Sequence, residues 1–112
     1  ALVGGAATQN YVSRDVIAAL GPRGVLINIS RGSTVDEEAL LDALENGTIA
    51  GAGLDVFLGE PRINPRFLTL DNVVLQPHQG SGTVETRAAM AKLQRDNVAA
   101  HLAGAPLLTP VN

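Results

Sequence analysis

Cysteine is absent from the 112 residues. With no thiol there is no disulfide framework, no thiolate zinc site and no cysteine nucleophile. Histidine is limited to His78 and His101, too little for a His-based metal centre, so no metal site is expected. Positive charge is also short. Eight Lys and Arg stand against eleven Asp and Glu, a formal net charge of −3, which gives no basic footprint for a phosphate backbone or an anionic membrane; no nucleic-acid partner is expected. No run of about 18 or more apolar residues exists to span a bilayer, and the first residues lack the charged region and cleavage site of a signal peptide. The expectation is a soluble, cytoplasmic chain with no membrane partner. Aromatic residues number only three, Tyr11, Phe57 and Phe67, although 46% of the residues are apolar. A chain of this size is one domain at most.

What is present is an alternation of short aliphatic runs with longer helical patterns. Val25 to Ile29, Ala50 to Val56, and Val73 to Leu75 read as buried strands bounded by turn residues. A helix is expected between the first two. Thr34 and Glu37 would form its capping box, Asp36, Glu37 and Glu38 its acidic first turn, and Leu40, Leu41 and Leu44 its inner face, with Gly47 as the stop. An earlier helix has Ser13 as N-cap, Val16, Ile17 and Leu20 as its buried stripe, and Gly21-Pro22 beyond it. The longest runs from about Val84 to Ala103, with Val84, Ala88, Ala91, Val98, Ala99 and Leu102 at helical spacing and Gly104 and Pro106 after it. Parallel strands need long crossovers, so this order predicts an α/β fold with a parallel sheet flanked by helices. Gly59 to Pro65 reads as a strand-free loop. Ala1 to Gly5 reads as the end of a strand running into a turn, and so few parallel strands cannot cover both faces of a sheet. The chain is therefore expected to be a fragment of a larger two-domain protein.

In an open parallel sheet, ligands bind beyond the carboxyl ends of the strands. Arg31 follows the first strand, Asp55 and then Glu60 the second, and His78 the third. Those three residue types suit reversible reduction of a 2-oxo acid. Arg31 would grip a substrate carboxylate with its planar fork. His78 would donate a proton to the carbonyl oxygen as hydride reaches carbon, and Glu60 would fix the imidazole tautomer and support its charged form. Two of them also have a plainer explanation: Arg31 as a surface ion-pair partner and Glu60 as a solvated loop carboxylate. His101 complements a helix C-terminus, Met90 is packing material, and the acidic run at Asp36 is explained by capping. Gly80-Ser81-Gly82 places Glu85 at the third glycine position of a dinucleotide fingerprint, and Gly51-Ala52-Gly53 places Val56 there, so neither is a pyrophosphate loop.

Asn28-Ile29-Ser30-Arg31-Gly32, Val35-Asp36-Glu37, Gly51-Ala52-Gly53-Leu54-Asp55-Val56-Phe57 with Glu60-Pro61, and Asn72-Val73-Val74-Leu75 with Pro77-His78 occur in that order. Together they resemble the D-isomer-specific 2-hydroxyacid dehydrogenases, closest to the glyoxylate/hydroxypyruvate reductase branch. The likeness runs from the Gly4-Gly5 turn to the closing Pro106-Leu107-Leu108-Thr109-Pro110. It implies that His78 is the general acid/base, Glu60 its carboxylate partner and Arg31 the substrate-binding residue. It also implies a nicotinamide site, for NAD or NADP, at Ile29, Ser30, Arg31, Asp55, His78 and Gly80, with Asp55 taking the carboxamide. Residues 1–103 would be the C-terminal part of a Rossmann-like dinucleotide-binding domain, and residues 104–112 a tail returning toward the substrate domain. The family implies a homodimer acting on a small 2-oxo or 2-hydroxy acid. Val3, where the family often has Pro, and Gln79, where it has an aliphatic residue, are departures. The sequence leaves open a non-catalytic α/β binding or oligomerisation module, and the same scaffold acting on another hydroxy acid or formate. The isolated chain is expected to be inactive.

Overall fold

The computed structural model describes residues 2–111. The chain divides into two compact units, Ala1–Gly80 and Ser81–Asn112. The first contains α1 (Arg14–Ala19), β1 (Val25–Asn28), α2 (Glu37–Glu45), β2 (Gly51–Leu54) and β3 (Val73–Leu75). Three 3-10 turns, Ala6–Thr8, Gly32–Thr34 and Pro65–Thr69, complete it.

The strands form one parallel sheet in the order β1-β2-β3, so the α/β expectation holds. Asn28 lies opposite Leu54, and Leu54 opposite Leu75. All three strands thus end level, and the residues that follow them share one edge. One sheet face supplies Leu26, Ala52 and Leu54 to the core, against Ile17, Leu40, Leu41, Leu44, Ile49 and Phe67. Phe57 meets Phe67 edge to face, with ring centroids 5.8 Å apart, a geometry that suits the aromatic quadrupole. On β1 the alternate residues Val25 and Ile27, and Val74 on β3, are exposed.

The capping of α2 differs from the capping box expected of Thr34 and Glu37. Asp36 is the N-cap, and its carboxylate accepts from the Ala39 N–H at 3.0 Å. Thr34 lies one turn earlier and points its hydroxyl at the Arg31 carbonyl, while Glu37 reaches the Leu58 N–H. The helix closes where Gly47 turns left-handed at φ 68°, a conformation that suits glycine. Arg66, in the 3-10 turn before β3, fastens that turn to α2 through Glu38, Asp42 and Glu45 at 2.7–2.8 Å. Asp42 also receives Arg14 at 2.8 Å.

Two further expectations are corrected. Of the stripe assigned to α1 only Ile17 is buried, while Val16 and Leu20 are exposed. A helix of fewer than two turns packed against α2 presents a single position to it. Ser13 does occupy the N-cap, without a side-chain bond. The strand end expected at Ala1 to Gly5 is also absent: Ala1 is outside the described residues, and residues 2–5 form no strand. They have no ladder partner, because β1 pairs only with β2 among the described residues.

The second unit is α3 (Val84–Leu102) and the tail after it. Thr83 caps the helix by accepting from the Thr86 N–H. Asn97 fastens the tail to it: its Oδ1 accepts from the Leu108 and Thr109 N–H groups, and its Nδ2 donates to the Thr109 hydroxyl. None of the apolar residues at helical spacing on α3, Val84, Ala88, Ala91, Val98, Ala99 and Leu102, is buried. No helix among the described residues is long and apolar enough to cross a membrane.

Candidate active site

The level carboxyl ends of the strands bring the three post-strand segments side by side. After β1 the chain turns around Asn28, which is 6% exposed. Its Oδ1 accepts from the Ser30 N–H at 3.0 Å and the Ser30 hydroxyl at 2.8 Å, and its Nδ2 donates to the Arg31 carbonyl at 3.0 Å. That carbonyl also accepts from the Thr34 hydroxyl at 2.7 Å and the Thr34 N–H at 3.1 Å. The Arg31 guanidinium donates from Nη1 to the Ser30 carbonyl at 2.6 Å. Its stem lies over Gly4, where a Cβ would come within 2.8 Å of the Arg31 Cγ. Ile29, between the two anchored positions, is exposed.

After β2 comes Asp55, buried at 8% exposure. Its two oxygens take different partners: Oδ1 accepts from the Gln79 N–H and Oδ2 from the Gly80 N–H, both at 2.8 Å. The carboxylate thereby grips the backbone just after His78, whose φ of 51° is left-handed. Such a conformation is uncommon for a residue with a side chain and needs support from its surroundings.

The loop beyond Asp55 returns Glu60 to the same edge. Glu60 Oε2 lies 2.7 Å from His78 Nδ1, and Oε1 accepts from the Phe57 N–H at 2.8 Å. The hydrogen bond to His78 holds the Glu60 carboxyl below the usual carboxylate range against the opposing effect of desolvation, and the Phe57 N–H and the positive charges of His78 and Arg31 add to it. The next N–H, of Leu58, donates to Glu37 Oε2 at 2.8 Å. Partial burial pushes the Glu37 carboxyl above its ordinary value. Gly32 makes this bracing possible, for a Cβ there would fall 2.0 Å from the Phe57 carbonyl carbon. Beside the pair opens a cavity of about 370 Å³, lined by Phe57, Pro61, Ile63, Leu75 and Pro77 together with Glu60 and His78.

Of the residues the sequence singles out, Glu60 and His78 are in direct contact, Asp55 holds Gly80, and Ser30 holds the Arg31 guanidinium. Arg31 bonds neither Glu60 nor His78, although its charge reaches Glu60. Because Glu60 occupies Nδ1, Nε2 is the imidazole nitrogen left for a ligand. The arrangement is a carboxylate-oriented imidazole with a cation at the same edge, a pairing able to take up and release a proton. Sequence reasoning assigns Thr34 and Glu37 to capping and gives Asn28 and Gly32 no structural role, yet all four build this edge. One signal was available: Asn28 is a polar residue inside an otherwise aliphatic strand run.

The family model for the NAD-binding domain of the D-isomer-specific 2-hydroxyacid dehydrogenases matches residues 2–80. The chain is 57% identical over 111 residues to a 2-ketogluconate reductase of Gluconobacter oxydans, covering 99% of the chain and 36% of that protein. It is 58% identical over 104 residues to a hydroxyphenylpyruvate reductase of Plectranthus scutellarioides, covering 93% of the chain and 33% of that protein. A crystal structure of an NADPH-dependent glyoxylate/hydroxypyruvate reductase from Sinorhizobium meliloti, in complex with NADP and malonate, superposes with a TM-score of 0.94. The two share 55% identity, over 98% of this chain and 34% of that one. The chain thus spans about a third of the length of these relatives.

Proposed function

This chain belongs to the D-isomer-specific 2-hydroxyacid dehydrogenase family, and on that premise we propose that the whole protein transfers hydride between NAD(P)H and a small 2-oxo acid of the glyoxylate/hydroxypyruvate type, giving a D-2-hydroxy acid. The observation that carries the proposal is the 2.7 Å contact between His78 Nδ1 and Glu60 on the edge that also bears Arg31.

His78 is the general acid in reduction and the general base in oxidation, working through Nε2. Glu60 fixes the ring and offsets the charge of the imidazolium, and its depressed carboxyl keeps it anionic for that task. Arg31 binds the substrate carboxylate, its planar fork matching two oxygens at once. The nicotinamide cofactor, when bound, supplies or accepts the hydride. Ile29, Ser30, Arg31, Asp55, His78 and Gly80 would hold its nicotinamide end. The donor set fits that role: Ile29 offers an exposed apolar surface, and each Asp55 oxygen keeps a lone pair beyond the one used by its backbone N–H partner. The pyrophosphate has no matching glycine turn in this chain. Residues 1–103 are accordingly read as the C-terminal part of the dinucleotide-binding domain and residues 104–112 as a tail leading to the substrate domain. A homodimer belongs to the same reading and rests on the family resemblance alone; a cytoplasmic location is proposed with it.

The test is steady-state reduction by the full-length gene product with NADH and NADPH. Glyoxylate, hydroxypyruvate, 2-ketogluconate and hydroxyphenylpyruvate form the substrate panel. His78→Gln is expected to lose about 10²- to 10⁴-fold in turnover, the ordinary contribution of a general acid, while cofactor affinity by fluorescence titration is retained. An unchanged rate removes His78 from the mechanism. Inactivity of the parent on the whole panel with both cofactors favours another substrate or a non-catalytic module.

A further inference from the structure

We propose that Asn28 and Thr34 are positioning residues for Arg31, fixing the peptide units that aim its guanidinium; the proposal rests on the reading of Arg31 as the substrate-carboxylate residue. The Asn28 amide spans two peptides. Its Oδ1 takes the Ser30 N–H and its Nδ2 the Arg31 carbonyl. Between those peptides lies the one linking Ser30 to Arg31, and its carbonyl oxygen accepts the guanidinium Nη1 at 2.6 Å. The rotation of that middle peptide sets where this oxygen points, so the direction of the guanidinium is inherited from an amide three residues earlier in the chain.

Thr34 holds the same turn from the other end. Its hydroxyl and its N–H both donate to the Arg31 carbonyl, which thus receives three donors in all. A carbonyl oxygen has two lone pairs, so one donor fewer would satisfy it; the third restricts how the carbonyl can turn. The Thr34 hydroxyl also lies 3.1 Å from that of Ser30; each hydroxyl has one proton, which Thr34 gives to the Arg31 carbonyl and Ser30 to Asn28 Oδ1, so this contact is close packing and not a further bond. Thr34 is 1% exposed and Asn28 6%. Both are buried, so an effect on substrate is transmitted through the residues they hold, of which Arg31 is the one read as meeting the substrate. A buried network in which every member is satisfied specifies one geometry.

The discriminating substitutions are Thr34→Val, which keeps the shape and removes the hydroxyl, and Thr34→Ser, which keeps the hydroxyl. Asn28→Asp replaces the donor at Nδ2 with an oxygen facing the Arg31 carbonyl, and Arg31→Met is the reference. In the full-length protein, Thr34→Val is expected to raise the KM for hydroxypyruvate about three- to tenfold, the range of one lost buried hydrogen bond. Its cofactor KM should stay within about twofold, and Thr34→Ser should be close to the parent. Asn28→Asp should follow Thr34→Val with a larger effect. Equal impairment of Thr34→Ser and Thr34→Val would show that side-chain volume rather than the hydroxyl matters, and would overturn the proposal. So would an unchanged hydroxypyruvate KM in Thr34→Val beside a raised one in Arg31→Met. If Arg31→Met itself leaves that KM unchanged, the carboxylate role of Arg31 fails, and the positioning proposal with it.

Discussion

His78 is held twice, by its ring and by its backbone. Glu60 takes the imidazole, while Asp55 grips the two N–H groups that follow it and so supports a left-handed residue. Asp55→Asn sets an NH₂ group against one of those N–H donors, replacing an attraction with a donor facing a donor. In the full-length protein kcat is expected to fall tenfold or more, with stability lower by about 1–3 kcal/mol, as measured by steady-state kinetics and denaturant unfolding. A kcat equal to the parent's would separate Asp55 from the proposed role of His78. The identities of the residues at the edge were legible in the sequence because Arg, Asp, Glu and His stand just beyond aliphatic runs. The partnerships were not. The family resemblance implies a carboxamide partner for Asp55, and only the level strand ends bring the 79–80 backbone onto both of its oxygens.

At the scale of elements, α2 is the hub of the first unit. Its acidic face receives Arg66 from the 3-10 turn and Arg14 from α1. Hydrogen bonds from Arg66 hold the Asp42 and Glu45 carboxyls below their ordinary values, those on Asp42 aided by Arg14. A carboxyl depressed by folding adds stability that is complete above its unfolded value and disappears as pH falls through the folded one. Loss is therefore expected below about pH 4. Arg66→Met should lower the urea midpoint at neutral pH and make the acid-side decline shallower than the parent's; parallel curves would remove the network from acid stability. The three strands and three helices were readable from periodicity and from their glycine stops. The N-cap of α2 was not. Thr34 has the residue type and spacing of a capping box, but the buried Ser30 hydroxyl and the Arg31 carbonyl recruit it inward, leaving Asp36 to cap. The 3-10 turns carry no periodic signal at all.

For the molecule as a whole, the decisive feature is a sheet with one face packed and the other bearing Val25, Ile27 and Val74 at 56%, 66% and 63% exposure. Exposed aliphatics grouped on one sheet face are uncommon on a finished protein surface. The isolated 112 residues are expected to bind a hydrophobic fluorescent dye and to oxidise neither NADH nor NADPH with hydroxypyruvate present, whereas the full-length protein does the reverse. Turnover by the isolated chain would show that the edge needs nothing beyond these residues.

The Glu60 carboxylate divides its oxygens between its own loop, at Phe57, and the imidazole. The loop and the ring are therefore mechanically a single part, like a crank and its shaft. An insertion or substitution that shifts the Phe57–Pro61 loop is expected to turn His78 as well. Variation that preserves the Glu60–His78 contact has to fall on the rest of the edge.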